Sequence, residues 1–224
     1  MPTPSSKMPH RAALFDMDRT LIRVETASLY VRYQREIGEA TNRDLAKVLW
    51  WVALYTFGLI DAPRVATRAL LQFAGTCETA LSSRCDDWYA RYVARHLCDA
   101  GRRAVQAHRE RGDFIAIATG ASTYSARPLA RALQIDHLVA TELELRQGRF
   151  TGRPLLPLCY GQGKLHRATQ LLNAHGIALR DTTFYSDSVT DLPLLQAVGE
   201  PVAVNPDPRL AREAKRRRWR IERW

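Results

Sequence analysis

Two aspartates at the end of one apolar run constrain this chain of 224 residues more than any other feature. The run from Ala12 to Phe15 predicts a short buried strand, and Asp16 and Asp18 follow it directly. Ligands of a parallel sheet bind beyond the carboxyl ends of its strands, so these acids are expected to face a crevice. Alternate residues of an extended segment point the same way, which brings both carboxylates to one ligand. Such a pair indicates a divalent cation or a protonated acid, with a turn capped by these side chains as the alternative.

Helical spacing of apolar residues dominates the chain from Ala27 to about Leu97. With Pro63 and Gly75 as breaks, this spacing predicts three or four helices, inserted between the first strand and the rest of the sheet. From about Arg102 onward, strand and helix patterns alternate, which predicts a parallel sheet with helices on both faces. The fold class is therefore α/β, with an all-helical insertion after the first strand.

Short apolar runs mark the predicted strands of the alternating part. They are Phe114–Ala118, His137–Thr141, Thr183–Ser186 and Pro201–Val204, with a hairpin over Leu143–Thr151 that turns at Gln147-Gly148. Helical patterns cover residues 102–111, 124–133, 164–175 and 208–218. Most predicted strands are thus joined by a helix, as a parallel arrangement requires.

One predicted helix, near residue 50, is apolar almost all round. Leu45, Val48 and Leu49 recur on one face, and Trp50 and Trp51 cover much of the rest. We expect this helix to be buried within the protein, with a dimer contact or a lipid surface as alternatives. No run in the sequence reaches the roughly 20 apolar residues that span a bilayer.

The charge balance favours anionic ligands without choosing among them. The chain has 33 Lys and Arg against 23 Asp and Glu, a net charge of +10, which attracts anionic small molecules, lipid or nucleic acid. Its four cysteines form no CxxC pair, which fits reduced thiols, and residues 1–11 lack the apolar core of a secretory signal. We therefore expect a cytoplasmic protein.

Residues suited to a phosphate or a metal recur at other predicted strand ends. Thr119 offers a hydroxyl beside Gly120, whose backbone N–H groups are open to an oxyanion. Lys164 brings a positive charge at a helix start, and Asp187 and Asp191 are hard oxygen ligands suited to Mg²⁺. Each of these residues also has a purely structural interpretation: Thr119, Asp187 and Asp191 as helix caps, and Lys164 as a solvated surface lysine. Their occurrence together, each at a strand end or a helix start, indicates one site.

Four segments taken together resemble the motifs of the haloacid dehalogenase-like hydrolase superfamily. They are Asp16-Met17-Asp18-Arg19-Thr20, Thr119-Gly120, Lys164 and Ser186-Asp187-Ser188-Val189-Thr190-Asp191. The helical insertion resembles the cap of the phosphoserine-phosphatase-like branch, subfamily IB. The resemblance covers about residues 11 to 222. It implies a Rossmann-like catalytic core, residues 11–25 and 98–224, with a helical cap, residues 26–97.

The resemblance implies a phosphoric monoester hydrolase that works through an aspartyl phosphate. Asp16 is then the nucleophile, and Asp18 protonates the leaving oxygen and later deprotonates water. Thr119 and Lys164 hold the phosphate oxygens. A second acid at position 18 suits an alkoxide leaving group, which a dehalogenase does not have. Mg²⁺ is the implied cofactor, and its ligands come from Asp16, Asp18, Asp187 and Asp191.

The expected partner is a small phosphorylated substrate. Glu25 lies where phosphoserine phosphatases carry an acid for the substrate amine. An acid in the first turn of a helix, favourable to the helix dipole, is an equally good interpretation of this residue. Arg19 and Thr190 stand where those enzymes typically have a small residue and Asn, so phosphoserine itself is not expected. Arg64 and Arg68, on predicted cap helices, are candidates for a substrate carboxylate. The full set of phosphate- or substrate-binding candidates is Thr20, Gly120, Glu25, Arg19 and Arg68.

Two other functions stay open. A phosphomutase or phosphotransferase shares the motifs, and a membrane-surface or nucleic-acid-binding protein on an idle scaffold would use the basic C-terminal stretch. The simpler interpretation of that stretch is a solvated terminal helix, so no nucleic-acid partner is expected. Peripheral membrane contact is kept as an alternative, and the sequence predicts no oligomeric state. The basic residues are Arg209, Arg212, Lys215, Arg216, Arg217, Arg218 and Arg220, with Trp219 and Trp224 among them.

Overall fold

A six-stranded parallel sheet forms the centre of the molecule. The computed structural model describes residues 10–56 and 67–224. Its strands are β1 (Ala12–Phe15), β2 (Phe114–Ser122), β3 (His137–Thr141), β4 (Leu143–Arg146), β5 (Arg149–Pro154), β6 (Thr182–Ser186), β7 (Glu200–Val204) and β8 (Arg220–Glu222). The sheet has the order β3-β2-β1-β6-β7-β8, with every neighbouring pair parallel. The predicted hairpin is confirmed as the separate antiparallel pair β4 and β5.

Helices cover both faces of the sheet. They are α1 (Thr26–Glu36), α2 (Asn42–Thr56), α3 (Glu78–Trp88), α4 (Asp99–Glu110), α5 (Thr123–Leu133), α6 (Gln162–Ala174), α7 (Leu192–Ala197) and α8 (Pro208–Arg217). Their ends follow the local sequence. The Asp207 side chain caps α8 by accepting from the N–H groups of Arg209 and Leu210, and Pro208 occupies the first turn, where its missing N–H costs nothing.

The side chains of β1 show how the two faces are filled. Ala13 and Phe15 belong to a buried cluster on one side of the sheet, and Ala12 and Leu14 belong to a second cluster on the other side. A strand buried on both faces is typical of a parallel sheet between helical layers. The predicted α/β class, with helices on both faces, is therefore confirmed.

Between β1 and α4 the described residues form helices and no strand longer than an isolated bridge. Three of these helices are α1 to α3, and shorter helical turns cover Leu71–Phe73, Tyr89–Val93 and Ala94–His96. The β4–β5 hairpin packs on this region, with the Gly75 N–H donating to the Phe150 carbonyl at 2.8 Å. The division into a core and a cap at residues 26–97 stays a prediction. Pro63 and Arg64 lie outside the described residues.

Helix α2 is less buried than its sequence predicts. Trp50 is 63% exposed and Leu49 is 42% exposed, so the expected burial of the whole helix is wrong for these two residues. Val48 and Trp51 instead line a cavity described below. Among the described helices, none combines the length and apolar character that crossing a membrane requires.

The C-terminal segment ends in a strand that the sequence analysis did not predict. The basic helix predicted over about residues 208–218 is confirmed as α8, with its basic residues exposed, and β8 follows it and adds to the edge of the sheet beside β7. Arg220 pairs with Glu222 at 2.9 Å and donates to the Tyr185 hydroxyl at 3.0 Å. Trp224 packs against Tyr185, with ring centroids 5.5 Å apart. Arg220 is thus an exposed strand residue whose guanidinium group contacts Glu222 and Tyr185.

Candidate active site

The register of the three central strands brings the motif residues to one edge. Phe15 in β1 pairs with Ile117 in β2 and with Tyr185 in β6. The residues that follow these three positions, including Asp16 and Asp187, therefore emerge side by side at the carboxyl ends of the strands. The Asp16 N–H donates to the Tyr185 carbonyl at 2.9 Å, which fixes the backbone of Asp16 to the neighbouring strand.

Lys164 lies at the centre of this edge and joins two of the aspartates. Its Nζ is 2.9 Å from Asp16 Oδ1 and 2.7 Å from Asp191 Oδ2, and all three side chains are buried. Ser186 Oγ also donates to Asp191 Oδ2, at 2.8 Å. Burial alone would lower the pKa of Lys164, but the charges of Asp16 and Asp191 raise it well above its ordinary value. The ammonium group is therefore held charged inside the protein.

A glycine-containing turn delivers Lys164 to this position. Gly161 precedes α6 with a φ of +51°, a left-handed conformation that suits glycine. A Cβ atom on Gly163 would lie 1.9 Å from the Leu158 carbonyl oxygen, so no larger residue fits before Lys164. At Gly120 a Cβ would lie 2.5 Å from the Tyr160 ring, so a larger residue there would displace that ring. The glycines thus allow close packing of the loops around the site.

The carboxyl groups of the site outnumber the cations beside them. Burial raises the pKa of Asp16 to about 7, although Lys164 lowers it. Burial and the neighbouring charges of Asp16 and Glu25 raise the pKa of Asp187 well above its ordinary value. Buried acids with raised pKa values favour either bound protons or a bound cation. The site therefore has the electrostatic character of a cation site.

Asp18 and Glu25 form a second pair of acids at the entrance to α1. The Thr26 N–H donates to Asp18 Oδ1 at 2.9 Å, and burial raises the pKa of Asp18 against this hydrogen bond. Burial and the charge of Asp18 raise the pKa of Glu25 well above its ordinary value, while Arg19 lowers it. Arg19 Nε is 3.9 Å from Glu25 Oε2. Arg19 has a φ of +55°, a strained conformation for a residue with a side chain.

The donor set fits Mg²⁺ better than a metal that needs a full protein cage. Within residues 10–56 and 67–224, no group of three His, Cys, Asp or Glu side chains is arranged to hold a metal ion alone. Mg²⁺ binds through one or two carboxylates and keeps several waters, so Asp16, Asp187 and the Asp18 carbonyl are candidate protein ligands. Asp191 differs from these candidate ligands in its hydrogen bonds, because Lys164 and Ser186 both donate to its Oδ2.

The acids lie at one end of a cavity of about 350 Å³. At that end the lining includes Asp16, Asp18, Glu25 and Lys164. Arg209, from the first turn of α8, also lines the cavity. The opposite end is lined by α1, α2 and the helical residues up to α3, whose side chains are mostly apolar or aromatic. These include Tyr30, Val31, Val48, Trp51, Leu70, Phe73 and Trp88. The cavity therefore joins a charged end to an apolar one.

Most of the predicted site residues line this cavity, and two do not. Those that line it are Asp16, Asp18, Arg19, Glu25, Thr119, Gly120, Lys164, Asp187 and Asp191. Thr20 is buried and is not part of the lining, although its hydroxyl has no hydrogen-bond partner among the described residues. Arg68 is exposed and is also outside the lining. Their assignment as binding residues stays a prediction.

Several lining residues are not predicted by the sequence. Trp88, Tyr30 and Phe73 belong to apolar helical patterns that predict core packing equally well, so no signal separates them from it. Asp207 could have been found from its position as a helix cap just after a strand. It accepts from the Val189 N–H at 2.7 Å, and its own N–H donates to the Asp187 carbonyl at 2.8 Å. Asp207 thus ties α8 to the loop of the motif aspartates.

Comparisons with known proteins agree with this arrangement. A model of the haloacid dehalogenase-like hydrolase family matches residues 13–196. A histidinol-phosphatase of Neisseria meningitidis serogroup C is 30% identical, over 93% of this chain and 96% of its own length. A phosphoserine phosphatase of Mycobacterium tuberculosis is 32% identical, over 94% of this chain and 70% of its own length. A Bordetella pertussis crystal structure of unknown function superposes with a TM-score of 0.85 and 32% identity, covering 96% and 98% of the two chains.

Proposed function

Because the chain belongs to the haloacid dehalogenase-like hydrolases and is a phosphoric monoester hydrolase, we propose that it cleaves a small phosphomonoester through a covalent intermediate on Asp16. The observation that supports this best is the buried Lys164 ammonium, 2.9 Å from Asp16 and 2.7 Å from Asp191. A buried cation beside a carboxylate gives a dianionic phosphate a counter-charge, and it holds the carboxylate in place for attack.

The first step is attack of an Asp16 carboxylate oxygen on phosphorus. A new P–O bond forms to Asp16, and the P–O bond to the substrate alcohol breaks. Lys164 and the Thr119 hydroxyl bind the equatorial phosphate oxygens, where charge changes in the transition state. The Thr119 hydroxyl already accepts from the Ala121 N–H at 3.1 Å, which leaves its hydrogen available to the phosphate.

Asp18 moves the protons of both steps. In the first step it gives its proton to the leaving alcohol oxygen, which a raised pKa favours. In the second step it takes a proton from a water as that water attacks phosphorus. The P–O bond to Asp16 then breaks, which releases phosphate and restores both acids. The Thr26 N–H keeps Asp18 in one orientation through the two steps.

We assign Mg²⁺ as the cofactor, held by the carboxylates of Asp16 and Asp187 and by the Asp18 carbonyl. When bound, Mg²⁺ neutralises phosphate charge and so allows an anionic nucleophile to approach. Asp191 acts through Lys164, because it accepts a hydrogen bond from that ammonium.

Mg²⁺ is expected to stabilise the protein and to be required for turnover. At saturating Mg²⁺, the Tm of chelator-treated protein should rise by about 5 °C. The rise should be larger at pH 8 than at pH 5, because Asp16, with a pKa of about 7, holds a proton that competes with the metal at low pH. Without metal, Asp16 favours the folded state fully below its ordinary pKa of 3.8, and this contribution is lost as pH rises through about 7.

The test is thermal unfolding with and without Mg²⁺, paired with phosphate release from a panel of phosphomonoesters. The panel contains p-nitrophenyl phosphate, phosphoserine, histidinol phosphate, sugar phosphates and lysophosphatidic acid. Turnover that survives complete removal of divalent metal would contradict the cofactor assignment. Transfer of phosphate between positions of a sugar, with no phosphate released, would indicate a mutase instead.

We propose that the substrate carries an ammonium group two carbons from the phosphate oxygen. The names of the two relatives point to such esters, since phosphoserine and histidinol phosphate share a 2-aminoalkyl phosphate unit. Glu25 is a half-buried acid that lines the cavity beside Asp18, and Arg19 Nε lies 3.9 Å from its Oε2. A substrate ammonium would give this group of acids a further cation.

Glu25→Gln should therefore weaken turnover of amine-bearing esters selectively. We expect kcat/KM for histidinol phosphate to fall by about 10- to 100-fold, the range for a hydrogen bond to a charged group. The value for p-nitrophenyl phosphate, which has no amine, should change by less than about threefold. Glu110→Gln, an exposed substitution at the end of α4, is the matched control. Equal losses on both substrates would assign Glu25 to the acid cluster rather than to the amine.

The described contacts give the membrane and nucleic-acid alternatives no specific support. Arg216 and Arg217 both pair with Glu213, and the Arg217 guanidinium lies 5.4 Å from the centre of the Trp219 ring. Arg220 is engaged in β8 as described above. Arg216, Arg217 and Arg220 thus have intramolecular partners.

A further inference from the structure

The segment after β7 is bonded to the loop that carries Asp187. Strands β6 and β7 are neighbours in the sheet, with Ser186 paired to Ala203, so the segments that follow them emerge side by side. Asp207 lies in the segment after β7. Its N–H donates to the Asp187 carbonyl at 2.8 Å, and its Oδ2 accepts from the Val189 N–H at 2.7 Å. Two backbone groups of the Asp187 loop are therefore held by one residue.

The two carboxylate oxygens of Asp207 have different partners. Oδ1 accepts from the N–H groups of Arg209 and Leu210, both at 2.8 Å, and so caps α8. Oδ2 accepts from the Val189 N–H instead. A helix cap needs only one side-chain oxygen, and serine or asparagine supplies it about as well as aspartate. The second oxygen of Asp207 is therefore more than α8 requires, and its partner is the Asp187 loop.

The segment that contains Asp207 is itself fixed on both sides. Asn205 has a φ of +41°, a left-handed conformation that asparagine tolerates better than most residues. Its N–H donates to the Glu222 carbonyl at 2.9 Å, and its Oδ1 accepts from the Trp224 N–H at 3.0 Å. The segment is thus bonded to β8 and Trp224 before Asp207 and continues into α8 after it. Asp207 joins this anchored segment to the Asp187 loop.

The Asp187 side chain is placed where a restraint on its backbone matters. It is buried, and the charges of Asp16 and Glu25 act against its ionised form. Like charges in a buried site repel, so an unrestrained loop would relieve the repulsion by moving Asp187 outward. A restrained loop keeps the carboxylate in place before a cation arrives. Ligands that are arranged in advance bind a metal more tightly, because less freedom is lost on binding.

We propose that Asp207 is a positioning residue that holds the Asp187 loop in its metal-binding arrangement. The inference rests on the proposed function, because it takes Asp187 as a ligand of Mg²⁺. The hydrogen bonds described for the Asp207 side chain all go to backbone N–H groups, so this residue acts through Asp187 and not on the ester. Loss of its second oxygen should weaken Mg²⁺ binding while α8 persists.

The experiment measures Mg²⁺ binding to chelator-treated protein by isothermal titration calorimetry. Asp207→Ser and Asp207→Asn each keep one oxygen to cap α8 and lose the second. We expect the Kd for Mg²⁺ to rise by about tenfold in both variants, the value of one hydrogen bond to a charged group. Their Tm without metal should fall by no more than about 4 °C, because the cap is retained. Asp207→Ala should lower the Tm further without a further loss of Mg²⁺ affinity.

Kinetics separate metal binding from chemistry in the same variants. With p-nitrophenyl phosphate, the Mg²⁺ concentration that gives half the maximal rate should rise by about tenfold in Asp207→Ser. At saturating Mg²⁺, kcat should stay within about threefold of that of the unmodified protein. Asp44→Asn is the matched control. Asp44 is exposed, accepts from the Thr41 N–H at 2.9 Å before α2 and is not part of the cavity lining, so this variant should bind Mg²⁺ as the unmodified protein does.

The outcomes distinguish this inference from the function on which it rests. An unchanged Kd for Mg²⁺ in Asp207→Ser and Asp207→Asn would assign Asp207 to helix capping and overturn the inference. A loss of affinity in Asp207→Ala alone would do the same. A lower kcat at saturating Mg²⁺ with an unchanged Kd would also overturn it, since the defect would then lie in the chemistry. Unmodified protein that binds no Mg²⁺ and needs no divalent metal for turnover would instead overturn the proposed cofactor.

Discussion

Asp16→Asn is expected to abolish phosphate release, with kcat at least about 10⁴-fold lower on every substrate. The amide cannot form the covalent intermediate, so the remaining groups can only bind the ester. The fold should persist, because the amide oxygen of the new side chain can still accept from Lys164 and the backbone at this position keeps its bond to Tyr185. We expect the free energy of unfolding to change by less than about 1 kcal/mol. Initial rates and denaturant unfolding check the two halves of this prediction.

Two controls keep this result interpretable. Asp99→Asn makes the same chemical change on the exposed first turn of α4, where Asp99 pairs with Arg102, and should leave kcat unchanged. Borohydride added during turnover should reduce an acyl phosphate and leave homoserine at position 16. Homoserine at another position, or a variant with more than a hundredth of the original activity, would exclude Asp16 as the nucleophile.

Lys164→Met is expected to damage both stability and activity. Methionine matches the length of lysine but leaves Asp16 and Asp191 without their shared cation in a buried site. Breaking one side of a buried ion pair costs about 3–5 kcal/mol, and loss of a transition-state cation lowers kcat by about 10²- to 10³-fold. Urea unfolding and phosphate release with saturating Mg²⁺ measure the two losses separately.

The stability loss in Lys164→Met should depend on pH in a defined direction. Without Lys164, nothing offsets the burial that raises the pKa of Asp16, so this carboxyl binds its proton more tightly when folded. Stability gained from such a group is present at low pH and is lost as pH rises through its folded pKa. The variant should therefore be closer to the unmodified protein at pH 5 than at pH 8. Lys215→Met, on the exposed face of α8, should show no such dependence, and a pH-independent loss would assign Lys164 to packing alone.

The charged end of the site was largely predictable from the sequence. Residues that follow buried parallel strands meet at one edge, so the positions of Asp16 and Asp187 follow from recognising two strands. Thr119 was predicted to follow its strand, but β2 continues to Ser122, and Thr119 lies within it just beyond the pairing with β1. Lys164 was predictable as a helix-start residue behind glycines. The structure then adds what spacing cannot give, namely that Lys164 reaches Asp16 and Asp191 at once.

The apolar end was not predictable, for a physical reason. The helical periodicity that places Trp88 and Tyr30 on a buried face is the same whether that face meets core or an enclosed cavity. Whether that face meets the core or a cavity depends on how α1, α2 and α3 pack. The pattern of apolar residues in the sequence does not determine this packing. The strand β8 was missed because Arg220 and Glu222 suggest a solvent-exposed segment, whereas its pairing with β7 is a tertiary contact that the local sequence does not determine.

The backbone amides that hold the two aspartates lie in different surroundings. The amide of Asp16 is bonded to Tyr185 in the middle of six strands, above the stacked rings of Phe15 and Tyr185 at 4.6 Å. An amide in such a place exchanges its hydrogen with solvent only when the whole domain opens. The amide of Thr26, which orients Asp18, lies in a part-buried connection at the start of α1 and is free of the sheet. We therefore expect the Thr26 amide to exchange its hydrogen faster than the Asp16 amide, because opening of the start of α1 alone exposes it.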